Sequence, residues 1–331
     1  KYLIIQSTFT DSKFIKIFTK LFKKPVLYIS FKEQRTGGRL RLNSLCGVNL
    51  GLHSLIKNKI YSDFVIFNKK FRYFNKKIVG FINDNEILEK NHLKKIENYK
   101  NKLDNIPYSK PKIALIGKRP DGFDTCDYKV SELENKLKAK ISKISLKKLF
   151  SISSKVNKNQ INNTMRSLKK NLKNLKTLNQ NEVEKSISLF HGLQKIQKKQ
   201  NFDAFAIRCW PEMFTEYGCA SCAPMAMMNE NKISSACEAD VLGSLSCNIL
   251  NQLNNKPSLL VDIVDLDIKD KTAVFWHCGL APISMAEKNK AKATVHSNRR
   301  KPLLYDFALK PGKITIFRVS KSENKLKFFI T

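Results

Sequence analysis

Apolar residues along this chain come either as compact runs or as stripes spaced three and four apart. Tyr2–Gln6, Pro25–Phe31 and Asp63–Phe67 are compact runs rich in Ile, Val, Phe and Tyr and predict strands. Thr10–Phe22 sets Phe14, Ile17, Phe18 and Leu21 on one face and predicts a helix with Thr10 or Asp11 as its cap. Strands alternating with helices in this way predict a parallel sheet with helical crossovers. A polar helix is predicted over Asn85–Leu103, and Pro107 and Pro111 then punctuate the chain, so a first α/β domain is set at 1–106.

Lys112–Gly117 predicts a fresh buried strand, and Lys118–Phe123 a turn at its carboxyl end, where ligand loops of open α/β sheets sit. Residues 132–200 read mostly as amphipathic helix rich in Lys and Asn. Phe202–Cys209 predicts a strand, Pro211–Gly218 a short helix, Lys232–Cys237 a strand and Ala239–Leu253 a helix, giving a central α/β domain over 107–255. Beyond Pro257 the pattern turns β-rich, with strands predicted at Ser258–Leu266, Lys271–Cys278, Lys290–His296, Gly312–Val319 and Lys325–Ile330. The last domain, 256–331, is therefore expected to be a smaller β domain forming a partial barrel.

Composition narrows the function classes. With 331 residues and 42% hydrophobic residues the chain can bury several cores. No apolar run approaches the ~20 residues that cross a bilayer. The eight cysteines are too sparse for a disulfide scaffold and are expected to be reduced, in a cytoplasmic setting. The net charge of +33 is uneven: residues 1–200 carry 44 Lys+Arg against 15 Asp+Glu, and residues 201–331 carry 17 against 13. The excess is Lys mixed with Asn, spread along whole helices, whereas a nucleic-acid surface clusters Arg with interleaved aromatics. It reads as solvated faces rather than as a nucleic-acid footprint.

Candidate chemistry gathers late in the chain. Glu238 follows an apolar strand and precedes a helix, so it is either a functional carboxylate or a helix-capping one, with Asp240 an equal candidate for the cap. Asp262 lies inside the apolar run Leu259–Val264; buried, it demands a partner such as a metal, and on an edge strand it would face water. His277 ends another apolar strand, as either a hydrogen-bonded core residue or a ligand. His296 precedes the basic Arg299, Arg300 and Lys301 and is the weaker candidate, while His53, His92 and His191 read as structural or surface. Cys219 and Cys222 have C-x-x-C spacing, but a zinc site of that kind needs a second pair and none stands at suitable spacing. Neither a Walker motif nor G-x-G-x-x-G is present, so nucleotide binding lacks its usual anchor.

Six stretches, in order over nearly the whole chain, resemble the fucose/arabinose isomerase superfamily, above all its L-fucose isomerase-related branch. They are GGRLRLNSLCGVNL (37–50), IGKRPDGFDTCDY (116–128), AIRCWPEMFTEYG (206–218), ACEADVLGSL (236–245), LLVDIVDLD (259–267) and FWHCGLAPISMA (275–286). The resemblance implies two Rossmann-like α/β domains and a C-terminal β domain, assembled as homo-oligomers, often hexamers. It also implies a divalent metal, usually Mn2+, held by the carboxylates that map to Glu238 and Asp262, 24 positions apart. His277 stands where the arabinose-isomerase branch has a His after the second acid. The family's later metal-ligating His has no counterpart, and residue 1 is Lys rather than Met, so an incomplete copy of a longer protein is expected.

The chemistry expected from these residues is aldose–ketose isomerisation through an enediolate, with Glu238 and Asp262 as paired acid and base around a metal that polarises the carbonyl. Arg208, Trp210 and Trp276 are expected to line the sugar, and core packing is the alternative for both tryptophans. The competing functions are a non-catalytic sugar-binding protein of the same fold and, on the basic first 200 residues, a nucleic-acid-binding protein.

Overall fold

Short Ile- and Val-rich runs separated by amphipathic segments fold into two parallel sheets, each in its own compact unit. The computed structural model describes residues 1–21, 23–34, 40–67, 72–83, 109–267, 269–322 and 325–331. The polar helix expected over Asn85–Leu103, the boundary residue Pro107 and the opening Gly37–Arg39 of the first resembling stretch lie outside them.

The smaller unit comprises 1–106, 121–125 and 262–276. Its strands β1 (Tyr2–Gln6), β2 (Val26–Ser30) and β3 (Ser62–Ile66) pair in parallel in the order β1-β2-β3. They alternate with helices α1 (Lys13–Leu21), α2 (Ser44–Lys57) and α3 (Arg72–Asn83). The central β2 is buried along its whole length, as a parallel strand covered on both faces must be. Asp11 accepts the amide of Lys13 at 2.8 Å, so it is Asp11 that meets the start of α1. The predicted apolar stripe of α1 is not the buried one: Ile15 and Thr19 are buried, while Phe14, Ile17 and Leu21 are exposed. Phe18 alone of that stripe packs inward, edge-on to Tyr2 with ring centroids 4.9 Å apart. Periodicity identifies a stripe but not the surface it meets. The 121–125 loop joins this unit through buried Asp124, which accepts from Ser12 at 2.8 Å and pairs with Lys16 at 2.6 Å.

The larger unit carries β4 (Lys112–Ile116), α4 (Val130–Leu137), β5 (Lys140–Ile144), α5 (Leu146–Ser153), α6 (Lys158–Asn171) and α7 (Gln180–Gln200). It continues with β6 (Ala204–Ile207), a π-helical turn at Met213–Tyr217, α8 (Cys222–Glu230), β7 (Ser234–Ala236) and α9 (Val241–Asn254). The strands are parallel in the order β5-β4-β6-β7. The chain thus steps from β4 to one side, then crosses to the other, and the switch falls between β4 and β6. Strand β5 lies within the stretch expected to be helical; its Lys-Ile-Ser-Lys-Ile composition is that of an edge strand with little to bury.

Past α9 the strands come in antiparallel pairs. β8 (Asp262–Asp267) and β9 (Thr272–Trp276) form a hairpin that belongs to the smaller unit. β10 (Lys292–Thr294) pairs with β11 (Leu304–Asp306), and β12 (Phe317–Ser322) with β13 (Lys325–Ile330), both in the larger unit. The chain is therefore α/β, parallel sheets followed by small antiparallel β structure, as expected. Among the described residues no helix is long and apolar enough to cross a membrane.

Two features of the larger core give direct tests. Gly192 of α7 faces Ser153 of α5 so closely that a Cβ there would overlap the serine hydroxyl. Gly192→Ala should cost about 1–3 kcal/mol through overpacking, read from urea unfolding; unchanged stability would contradict this helix contact. On the same helix, His191 lies 2.9 Å from Thr164 Oγ1 and 3.1 Å from Gln194 Oε1, and burial holds its imidazole below the ordinary histidine value. Near pH ~6.5 the unfolded chain then binds a proton that the native chain does not, so this contribution to stability is full above that pH and is lost as pH falls through the folded value. His191→Gln should flatten the decline of the urea midpoint between about pH 7 and pH 5; an identical slope in both proteins would count against it.

Candidate active site

In an open α/β sheet the crevice for a ligand lies outside the carboxyl ends of the strands where the strand order switches. Here that point is marked by Gly117 after β4 and Arg208 after β6. Gly117 has φ 79°, and a Cβ on it would come within 2.8 Å of Arg208 Cβ, so only glycine lets the two strand ends approach. The amide of Arg208 donates to Ile116 O at 2.9 Å, continuing the ladder past the strand. Its side chain is fastened on two sides, Nε donating to Glu212 at 2.6 Å and Nη1 to Lys118 O at 3.1 Å. Burial opposes ionisation of Glu212, but the hydrogen bond from Arg208 outweighs it and the carboxyl lies below its usual range. Trp210 is half-buried against the apolar clusters beneath, so part of its surface does packing work.

Glu238 follows the neighbouring strand end. Glu238 and Ala239 are both left-handed, with φ 61° and 54°, in the turn that joins β7 to α9. Such non-glycine residues cost about 1–3 kcal/mol each and persist where their surroundings hold them. The holds are visible: the Glu238 amide donates to Cys209 Sγ at 3.3 Å, and the Ala239 amide to Ile207 O at 2.9 Å. Cys209 and Cys237 are joined as a disulfide with Cα atoms 5.7 Å apart. This departs from the expectation that all cysteines are reduced: adjacent strands β6 and β7 bring Cys209, two residues beyond the one, beside Cys237, directly after the other, which spacing in sequence does not reveal. The capping question is also resolved. Asp240 is the cap of α9, accepting from Gly243 N at 2.9 Å and from Arg318 at 2.6 and 3.2 Å. Glu238 is half-buried and stands two residues before that cap.

Asp262 is placed differently from the buried carboxylate of an apolar strand. It opens β8, half-buried, with Trp276 as its partner across the hairpin. The fully buried acid of this strand is Asp265, at 2% exposure. A register shift between Ile263 and Asp265 breaks the alternation and turns the consecutive Val264 and Asp265 both inward. Sequence reasoning missed Asp265 because a bulge leaves no mark in the hydrophobic pattern. His277 follows β9, and its Nδ1 accepts the Cys278 amide at 2.8 Å and lies 3.4 Å from Cys278 Sγ, leaving Nε2 to other partners. Arg208, Trp210, Glu238 and His277 belong to the larger unit, Asp262 and half-buried Trp276 to the smaller.

Carboxylates and imidazoles are hard oxygen-and-nitrogen donors of the kind that suits Mn2+ or Mg2+. Glu238 fits that use: it stands on a turn held in a costly conformation at the sheet's ligand-binding edge, with capping assigned to another acid. A second grouping adjoins His277 in the larger unit, where Cys222, Cys278 and His296 bring their ligand atoms within 4.8 Å of one another. Cys222 thus finds Cys278, with sulfurs 3.9 Å apart, rather than its C-x-x-C neighbour. Cys219 is wholly buried, and burial pushes its thiol up to about 12. The 56 positions between Cys222 and Cys278 hid this pair from any spacing rule.

No known family profile matches the chain. Curated relatives do match, along nearly all of it. The sulfoquinovose isomerase of Priestia megaterium (strain ATCC 12872 / QMB1551) is 31% identical over 326 residues, covering 98% of this chain and 69% of the relative. That of Alkalicoccus urumqiensis is 30% identical over 334 residues, covering 99% and 71%. The sulfoquinovose isomerase of Clostridium sp. (strain MSTE9) is 29% identical over 325 residues, covering 96% and 69%. Likeness of this extent, spanning both compact units and every residue of the candidate site, places the chain in the sulfoquinovose isomerase family and makes it a sugar isomerase, an intramolecular oxidoreductase of the aldose–ketose class.

Proposed function

We propose that the chain interconverts sulfoquinovose and the corresponding ketose through an enediolate, with Glu238 and Asp262 moving the proton between C2 and C1. The observation that carries this is the near full-length likeness to sulfoquinovose isomerases. Isomerisation removes a proton from the carbon beside the carbonyl and returns one to the carbonyl carbon. One carboxylate must therefore start ionised and the other act as the acid, and the two exchange roles in the reverse reaction. A divalent cation held by Glu238, Asp262 and His277, Mn2+ by the character of the donors, supplies carbonyl polarisation and charge stabilisation when bound.

The remaining residues bind and orient. Arg208, fixed through Nε and Nη1, keeps Nη2 donors for a sugar oxygen or the sulfonate. Because Glu212 is ionised beside it, the guanidinium need not be reoriented when substrate arrives. Trp210 and Trp276 offer aromatic faces to the C–H surface of the ring. The net charge of +33 draws an anionic sugar toward the protein, which favours a sulfonated hexose over the neutral L-fucose or L-arabinose. Assembly into homo-oligomers belongs to the same reading.

Chelated protein should form little ketose from sulfoquinovose and recover on adding Mn2+, with slower turnover of L-fucose, D-arabinose and L-arabinose. Failure to convert any of the four sugars with any added divalent cation would leave the chain as a binding protein. Glu238→Gln should lower kcat by about 10²–10⁴-fold, the range for loss of a general acid–base group, with the melting temperature preserved. Native-like turnover in that variant would remove Glu238 from the mechanism.

A further inference from the structure

We infer that Cys222, Cys278 and His296 form a binding site for a thiophilic divalent cation of the zinc class, distinct from the carboxylate site proposed above. The three residues come from separate parts of the larger unit: the first turn of α8, the turn after β9 and the turn after β10. Their ligand atoms nevertheless lie within 4.8 Å of one another.

The spacing is that of ligands sharing an ion. In a tetrahedral site with metal–sulfur bonds of about 2.3 Å, two sulfurs stand about 3.8 Å apart. The sulfurs of Cys222 and Cys278 are 3.9 Å apart. A disulfide would need about 2.05 Å.

The surroundings suit two thiolates and a dication. Cys222 is buried at 1% exposure in a small cluster of Phe214, Ala220 and Leu304, against which Cys278 packs. Two thiolates with one divalent ion make a neutral unit, which an apolar pocket accepts where a lone thiolate would be penalised. Cys222 also opens α8, whose first-turn amides favour a thiolate. His296 is held in place, its ring 5.1 Å from that of Phe214 and its Nδ1 accepting the amides of Asn298 and Arg299 at 3.3 Å each. Binding sends the two thiol protons to solvent, and His296 contributes one ring nitrogen. Three protein ligands leave a fourth position for water. Soft sulfur donors select zinc here, whereas the carboxylates select manganese or magnesium.

The test uses the intact chain, reduced and stripped of metal, then titrated with Co2+ and Zn2+. The expected result is a thiolate-to-cobalt charge-transfer band that zinc abolishes at one equivalent per chain. Zinc should also protect Cys222 and Cys278, but not Cys46, from iodoacetamide as mapped by mass spectrometry. Cys278→Ser should lose the band, His296→Ala should hold zinc at least about 100-fold more weakly, and Cys46→Ser and Glu238→Gln should retain both. If Cys278→Ser does not fold, protection in the unsubstituted protein decides alone. Absence of both band and protection in the unsubstituted protein, persistence of the band in folded Cys278→Ser, or isolation of the native chain with a Cys222–Cys278 disulfide would each overturn the site.

Discussion

The left-handed turn at Glu238–Ala239 is the constraint on which the candidate site depends. A side chain leaving a regular strand-to-helix connection would follow the sheet or the helix. Here two consecutive residues at positive φ set Glu238 in the turn at the carboxyl edge of the sheet. That geometry is unfavourable by itself, and every neighbour helps to hold it. Cys237 before it is tied to Cys209, the Ala239 amide is returned to Ile207, and Asp240 after it is fastened to α9 and to Arg318 from β12. The helix cap alone contributes about 1 kcal/mol. The C-terminal hairpin thus has a part in the site without touching substrate: Arg318 braces the acid that braces the turn.

The short run Cys237-Glu238-Ala239-Asp240 divides two carboxylate tasks that position alone could not separate. Asp, with the shorter side chain, reaches back to its own helix amides, as the Ncap geometry requires. Glu stands two residues earlier, on the strained turn beyond β7. A similar division is seen at the switch point. There Gly117 gives up a side chain so that Arg208 can sit close, and Glu212 and Lys118 O then fix the guanidinium.

Much of this fold was legible in the sequence because buried parallel strands are continuous apolar runs. Tyr2–Gln6 is found as predicted, and Lys112–Ile116 within one residue. Elements with little to bury were illegible: β5 is Lys-rich, and β11 is three residues long. The α8 stretch, Cys222–Glu230, is buried nearly all round, so no amphipathic stripe announces it. At the site, the positions of Arg208 and Glu238 after strands could be inferred, since an apolar run ending in a charge is a local signal. Asp265, the Cys209–Cys237 bond and the Cys222–Cys278 approach could not, because a bulge and contacts between distant segments are products of packing.

The two proposed groups of metal-binding side chains differ in the way burial acts on them. Burial penalises a carboxylate that lacks a partner, and Glu238 and Asp262 are only half-buried. A thiol is neutral until a cation displaces its proton, so it tolerates the apolar pocket of Phe214 and Leu304 that would penalise an acid. The hydrogen bond from Cys222, together with burial, pushes the Cys278 thiol up to about 12. The two proposed sites are thus told apart by donor identity, oxygen and nitrogen in one and sulfur in the other, even though His277 of the first adjoins Cys278 of the second.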